Sequence, residues 1–202
     1  MTHPFECRVI ELRQYTLHRG RRDELITLFE RELVETQAAL GLHVLGMFRD
    51  ADRPDRFVWL RGFADMTARA RGLAAFYGGP VWQAHRSAAN ATMIDSDDVL
   101  LLRPVTPLPA PRKTGDAWHA MICPLVAPPD AELLDALREG AVTWLETEPA
   151  KNNFPALPVR GDETVLVALS PTPVLLPPRV AACLGAAPQT LNLRPTARSP
   201  LR

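Results

Sequence analysis

Two short segments carry residues that could do chemistry together. In RVIELRQYT, Glu11, Arg13 and Tyr15 alternate with Ile10 and Leu12; in FVWLRGF, Trp59, Arg61 and Phe63 alternate with Val58 and Leu60. On an extended chain a two-residue spacing puts each series on one side of the strand. Arginine forks grip carboxylates and related anions, a glutamate supplies a base or a counter-ion, and aromatic rings stack on planar molecules. That mixture suits a concave small-molecule site. It equally suits an ion-paired surface that only closes one sheet against another. A third concentration, FYGGPVWQAHR, places Trp82, His85 and Arg86 three and four residues apart, hence on one helical face. His85 there is a candidate acid/base or an iron ligand, or a histidine bonded locally while Trp82 packs. Cys7, Cys123 and Cys183 stand far apart, and no second His or Cys falls at metal-ligand spacing, so no metal site is expected.

The elements that must position these residues follow from periodicity. Residues 8–17 alternate as a strand; Leu25, Leu28, Phe29 and Leu33 recur at helical spacing over 21–38. Gly41 breaks that helix, and strands follow at 42–49 and 56–63 across a turn containing Pro54. Asp65 is placed to cap a helix to Tyr77. Gly78-Gly79 stop it, and Pro80 opens a short helix to Asn90. A last strand covers 93–103, before a connector, Pro104–Gly115, stiffened by four prolines.

The order β-α-β-β-α-β then recurs more weakly. Trp118–Val126 reads as a strand, Asp130–Glu148 as a helix, and Phe154–Val159 and Thr164–Leu169 as strands, before a closing LNLRP that echoes LLLRP at 100–104. The alignment of the two copies shifts by about 17 residues after the third strand, the length of the Pro80–Asn90 helix with its Gly-Gly lead. The expectation is an α+β chain of tandem ferredoxin-like βαββαβ units, residues 7–105 and 116–197. Each unit lays two helices on one side of a four-stranded antiparallel sheet and leaves the other side bare.

If the helices cover the apolar parity (Ile10, Leu12, Val58, Leu60), the bare side carries Glu11, Arg13, Tyr15, Trp59 and Arg61. On the second strand His43 and Arg49 are assigned to the bare side, with Val44 and Phe48 under the helices. Two bare sides packed together would close a barrel, inside which Glu11, Arg13 and Arg61 must pair, because an unpaired buried charge costs several kcal/mol. The second copy lacks this polar series, so one pocket in the N-terminal copy is expected, lined by Glu11, Arg13, Tyr15, His43, Trp59, Arg61, Trp82 and Arg86.

Acidic and basic residues balance at 23 each, so no net field recruits nucleic acid or an anionic membrane. No apolar run approaches the ~18 residues of a membrane span, and no secretory signal is visible, which points to the cytoplasm. Neither nucleic acid nor membrane is expected as a partner.

The stretches IELRQYTL (10–17) with Gly20-Arg21, FVWLRGF (57–63), FYGGPVWQAHR (76–86) and Asn90–Met93 resemble the NIPSNAP family over about residues 7–104. Asn152–Val159 and Leu193–Pro195 match it more faintly. The resemblance implies the dimeric α+β barrel superfamily, whose relatives include cofactor-free monooxygenases and haem-degrading enzymes. Haem-degrading relatives use a strand Trp and a helix His, which Trp59 and His85 echo; their first-strand Asn has no counterpart near Glu11 and Arg13. The expected function is therefore binding of a small, partly apolar ligand without a cofactor. Alternatives are monooxygenase-like or haem-binding chemistry, and a non-catalytic scaffold. A homodimer is expected, and barrel closure within or between chains stays open.

Overall fold

The computed structural model describes residues 6–111, 115 and 117–202. Eight strands form one closed barrel within a single chain. The N-terminal half runs β1 (Val9–Leu17), α1 (Arg22–Leu28), a π-helical turn (Phe29–Leu33), α2 (Val34–Ala39), β2 (His43–Asp50), β3 (Arg56–Phe63), α3 (Met66–Gly78), α4 (Pro80–Asn90) and β4 (Met93–Pro104). The other half runs β5 (Trp118–Pro124), α5 (Ala131–Arg138), β6 (Thr143–Thr147), β7 (Val165–Ser170), α6 (Pro178–Ala181) and β8 (Gln189–Pro195). Around the barrel the order is β1-β3-β2-β8-β5-β7-β6-β4, all antiparallel. Each half thus contributes four neighbouring strands, and β2–β8 and β4–β6 are the two seams.

Local chemistry explains most element ends. The Asp65 carboxylate accepts from the Ala68 amide at 2.7 Å and starts α3; Asp130 does the same for α5 through Leu133 at 2.8 Å. Pro80 sits in the first turn of α4, where its missing N–H costs nothing. Gly79 between the two helices is required sterically, since a Cβ there would lie 2.8 Å from the Ala75 carbonyl oxygen.

The barrel interior is apolar and shared. Ile10, Leu12, Val58, Leu60, Leu100 and Leu102 meet Trp118, Ile122, Val167, Leu191 and Leu193 in one cluster. The opposite parity of the N-terminal strands, with Tyr15, Trp59 and Phe63, packs under α1–α4. The parity expected from sequence is therefore inverted. Glu11, Arg13, Tyr15, Trp59 and Arg61 do not face the second sheet; they lie beneath the helical layer. The reason is partnership. A barrel lumen lined by strands alone offers a buried charge nothing to pair with, whereas helices bring their own polar side chains to it.

Strand β2 obeys neither parity throughout. Its pairing with β3 shifts register between Val44 and Gly46, and such a bulge turns the later side chains to the opposite face. His43 stays at the barrel mouth beside Leu45, and Val44 lies under the helices, the sides assigned to His43 and Val44 from sequence. Beyond the shift Phe48 points into the barrel, and Arg49 pairs with Asp23 of α1 at 2.8 Å, both reversing the expectation.

In the second half the helix expected to reach Glu148 ends at Arg138, and Thr143–Thr147 is a strand. The expected strand Phe154–Val159 is irregular, consistent with Pro155 and Pro158 in it. Only the single turn α6 lies between β7 and β8, where the first half has α3 and α4.

Candidate binding site

The inverted parity gathers a compact ionic cluster between sheet and helices. Glu11 on β1 lies directly across from Arg61 on β3, and Arg13 across from Trp59. Arg61 donates to Glu11 Oε2 through Nη2 at 2.6 Å and Nε at 3.0 Å. Arg13 Nη1 donates to the same oxygen at 2.9 Å, and Arg69 Nε reaches Oε1 at 2.8 Å. All four side chains are at most 1% exposed. One carboxylate thus serves three guanidinium groups, so among these four groups two positive charges are left uncompensated.

Neutral groups complete the shell. Gln37 of α2 accepts from Arg61 Nη1 at 3.0 Å; Tyr15 Oη accepts from Arg13 Nε at 3.1 Å. Arg69 Nη1 donates to Asn152 and Asn153, at 3.0 and 2.9 Å, from the segment joining β6 to β7. Rings cover the guanidinium faces: Trp59 lies 5.0 Å from Arg61 and 5.7 Å from Arg13, and Phe63 5.5 Å from Arg61. Within this shell two buried donors have no hydrogen-bond partner, Trp59 Nε1 and Arg69 Nη2.

Burial by itself would raise the Glu11 carboxyl, but the charges of Arg61, Arg13 and Arg69 outweigh it and hold the group down to about 2, from an ordinary 4.5. For Arg69 the balance runs the other way: burial outweighs the pull of Glu11, and its value is lowered. Because the folded value of Glu11 lies below the unfolded one, its contribution is present above pH 4.5 and is lost as pH falls toward 2. Acid titration of stability should show a decline of about 3 kcal/mol from this group across that window. Urea unfolding at stepped pH measures it, and Glu11→Gln should lose that part of the slope.

Beside the cluster a cavity of about 20 Å³, room for about one water, is lined by Tyr15, Phe29, Gln37, Trp59, Arg61 and Trp82 among others. Phe29 and Leu33, from the π-helical turn, form part of its roof. Such turns are rare and occur frequently at functional sites. Phe76, Tyr77 and Trp82 pack edge to face or tilted along another wall. Phe154, next to the two asparagines, stacks on Tyr77 at 6.1 Å.

Residues 10–109 match the family model described as NIPSNAP. The chain belongs to the NIPSNAP family through its N-terminal half. A NIPSNAP family protein from Agrobacterium tumefaciens is 23% identical; the alignment covers 48% of this chain and 91% of that one, with a TM-score of 0.44. Two solved structures align along nearly the whole chain. A provisionally named monooxygenase from Lactobacillus acidophilus shares 12% identity at TM-score 0.60, covering 94% of each chain. One from Fusobacterium nucleatum shares 8% at TM-score 0.61, covering 94% of this chain and 92% of that one. At such identities the likeness concerns the fold alone: an α+β barrel. No curated protein matches the chain in sequence.

Within the NIPSNAP half the cavity wall or the cluster takes in Glu11, Arg13, Tyr15, Trp59, Arg61 and Trp82. Three of the expected site residues lie elsewhere. His43 lines a separate, apolar cavity of about 260 Å³ at the barrel mouth, with Leu60 and Leu201. Arg86 is exposed on α4. His85 is half-buried with Nε2 3.6 Å from Glu32 Oε2, outside the lining of the cavity. Arg69, Gln37, Asn152 and Asn153 were not singled out from sequence. Arg69 had a signal: it shares the apolar stripe of α3 with Leu73 and Phe76, at i+4 and i+7, and all three are buried. The asparagines come from a segment with no periodicity at all.

Proposed function

We propose that the NIPSNAP half binds a small, partly apolar molecule between its sheet and its helices, not in the barrel lumen. The observation that carries this is Trp59: a buried indole whose Nε1 has no partner, on the wall of a cavity lined by aromatic side chains and by Arg61. A buried unpaired donor is a cost that a ligand acceptor would remove. The present cavity holds about one water, so a ligand would enter as Tyr77 and Trp82 swing on the Gly78-Gly79 elbow. A thermal-shift panel of small aromatic compounds tests the reading. A binder at ten times its Kd should raise Tm by about 3–6 °C. Ala89→Leu, which fills the cavity from α4, should abolish the shift. A panel with no shift in the wild type would sink the reading.

A catalytic reading draws support from the barrels of similar fold that carry the monooxygenase designation. Its test is oxygen uptake in the presence of whatever compound the panel identifies. Haem draws no support here: His85 pairs with Glu32 and lies outside the lining of the space beside Trp59. We infer in addition that the halves are tandem ferredoxin-like units descended from one duplicated unit, and that the protein acts in the cytoplasm. The barrel closes without a second chain, so the proposed homodimer would use another surface, which sedimentation equilibrium would measure.

A further inference from the structure

We propose that the molecule bound beside Trp59 is an anion, of the class of planar aromatic carboxylates or enolates. The inference rests on the site proposed above and goes beyond it by naming the charge and shape of the occupant. Four buried ionic groups, Glu11, Arg13, Arg61 and Arg69, carry three positive charges against one negative, and each is at most 1% exposed. Among the described residues Glu11 is the acidic partner of all three arginines. Desolvated cations without matching anions are costly, and strongly perturbed charged groups cluster at functional sites.

Three further observations say where the anion would sit and what shape it has. Trp59, whose Nε1 has no partner, and Arg61 both line this cavity, so an oxygen placed between them would meet a neutral and a charged donor together. Arg61 Nη1 is held meanwhile by the neutral amide oxygen of Gln37, a weaker acceptor that an anionic oxygen would displace. The remaining wall includes the rings of Tyr15, Phe29, Phe76, Tyr77 and Trp82, flat surfaces that accept a planar ring. At the far end of the cluster, the amide oxygens of Asn152 and Asn153 pair with Arg69 without adding charge, so the surplus persists.

The test compares ligands of equal shape and unequal charge. Wild-type protein is titrated with benzoate, benzamide and benzyl alcohol at constant ionic strength, following Tm and tryptophan fluorescence. The expected result is a shift with benzoate at least tenfold lower in apparent Kd than with either neutral compound. Trp59→Phe, which keeps a ring and removes the N–H, should weaken benzoate about tenfold and the neutral compounds by less, because a hydrogen bond to a charged acceptor is the stronger. Equal shifts with all three would overturn the anion and leave the binding site standing. Absence of any shift would overturn both. Benzoate binding indifferent to Trp59→Phe would place the anion elsewhere and overturn this assignment. Were Trp59→Phe to misfold, Gln37→Leu offers the second variant: freeing Arg61 Nη1 should strengthen benzoate binding, and weakened binding would count against the proposal.

Discussion

Glu11→Gln is expected to lower the stability of the fold by about 3–5 kcal/mol, the range for breaking a buried ion pair by removing one partner. The substitution keeps the shape of the side chain and one acceptor oxygen, so packing changes little. What changes is charge: Arg13, Arg61 and Arg69 would be left facing one another with no carboxylate among them. Urea denaturation at neutral pH measures the loss. A cost below about 1 kcal/mol would mean the arginines have another counter-ion and would undo the account of the cluster. Benzoate should restore part of the loss, since the variant carries one positive charge more than the wild type at the same place.

Trp118→Ala should cost about 3–5 kcal/mol as well, for a different reason. Trp118 opens β5 with 2% exposure and lies in the one apolar cluster that strands of both halves share. Truncation leaves a cavity at the end of the lumen, beside Pro107, Pro109 and Gly140, where the surrounding strands can collapse only in part. Because the core is common, the loss should reach amides of β1 and β3 as strongly as those of β5 and β7. Native-state hydrogen exchange reads this directly. Weakened protection confined to the C-terminal half would mean two independent cores and contradict the shared barrel.

The N-terminal half was legible in its sequence almost element by element. Strands expected at 42–49 and 93–103 fall at His43–Asp50 and Met93–Pro104, and the Pro80–Asn90 helix ends where Asn90 suggested. Proline, glycine and capping aspartate are local signals whose meaning does not depend on the rest of the fold. Which side of the sheet the helices cover was not legible, because both sides are buried and both hold large side chains. Apolarity could not discriminate; what did was the availability of polar partners, Arg69 and Gln37, on helices distant in sequence. The second half misled for a related reason. Val142 and Leu145 extend the helical spacing of Leu134 and Leu137, yet Gly140 ends the helix and TWLET is a short strand, four of its five residues buried, with no alternation to betray it. The bulge in β2 left no mark in the sequence beyond Gly46.

One polypeptide supplies all eight staves of this barrel, and that releases it from rotational symmetry. In a barrel built from identical subunits every substitution occurs twice, so a residue that improves one cleft must be tolerated in its mirror. Here a change lands once. One half gathers three arginines around a glutamate, while the other, with a single helical turn between β7 and β8, lends two asparagines and a phenylalanine to its neighbour. Division of labour of that kind is closed to a barrel of two identical subunits.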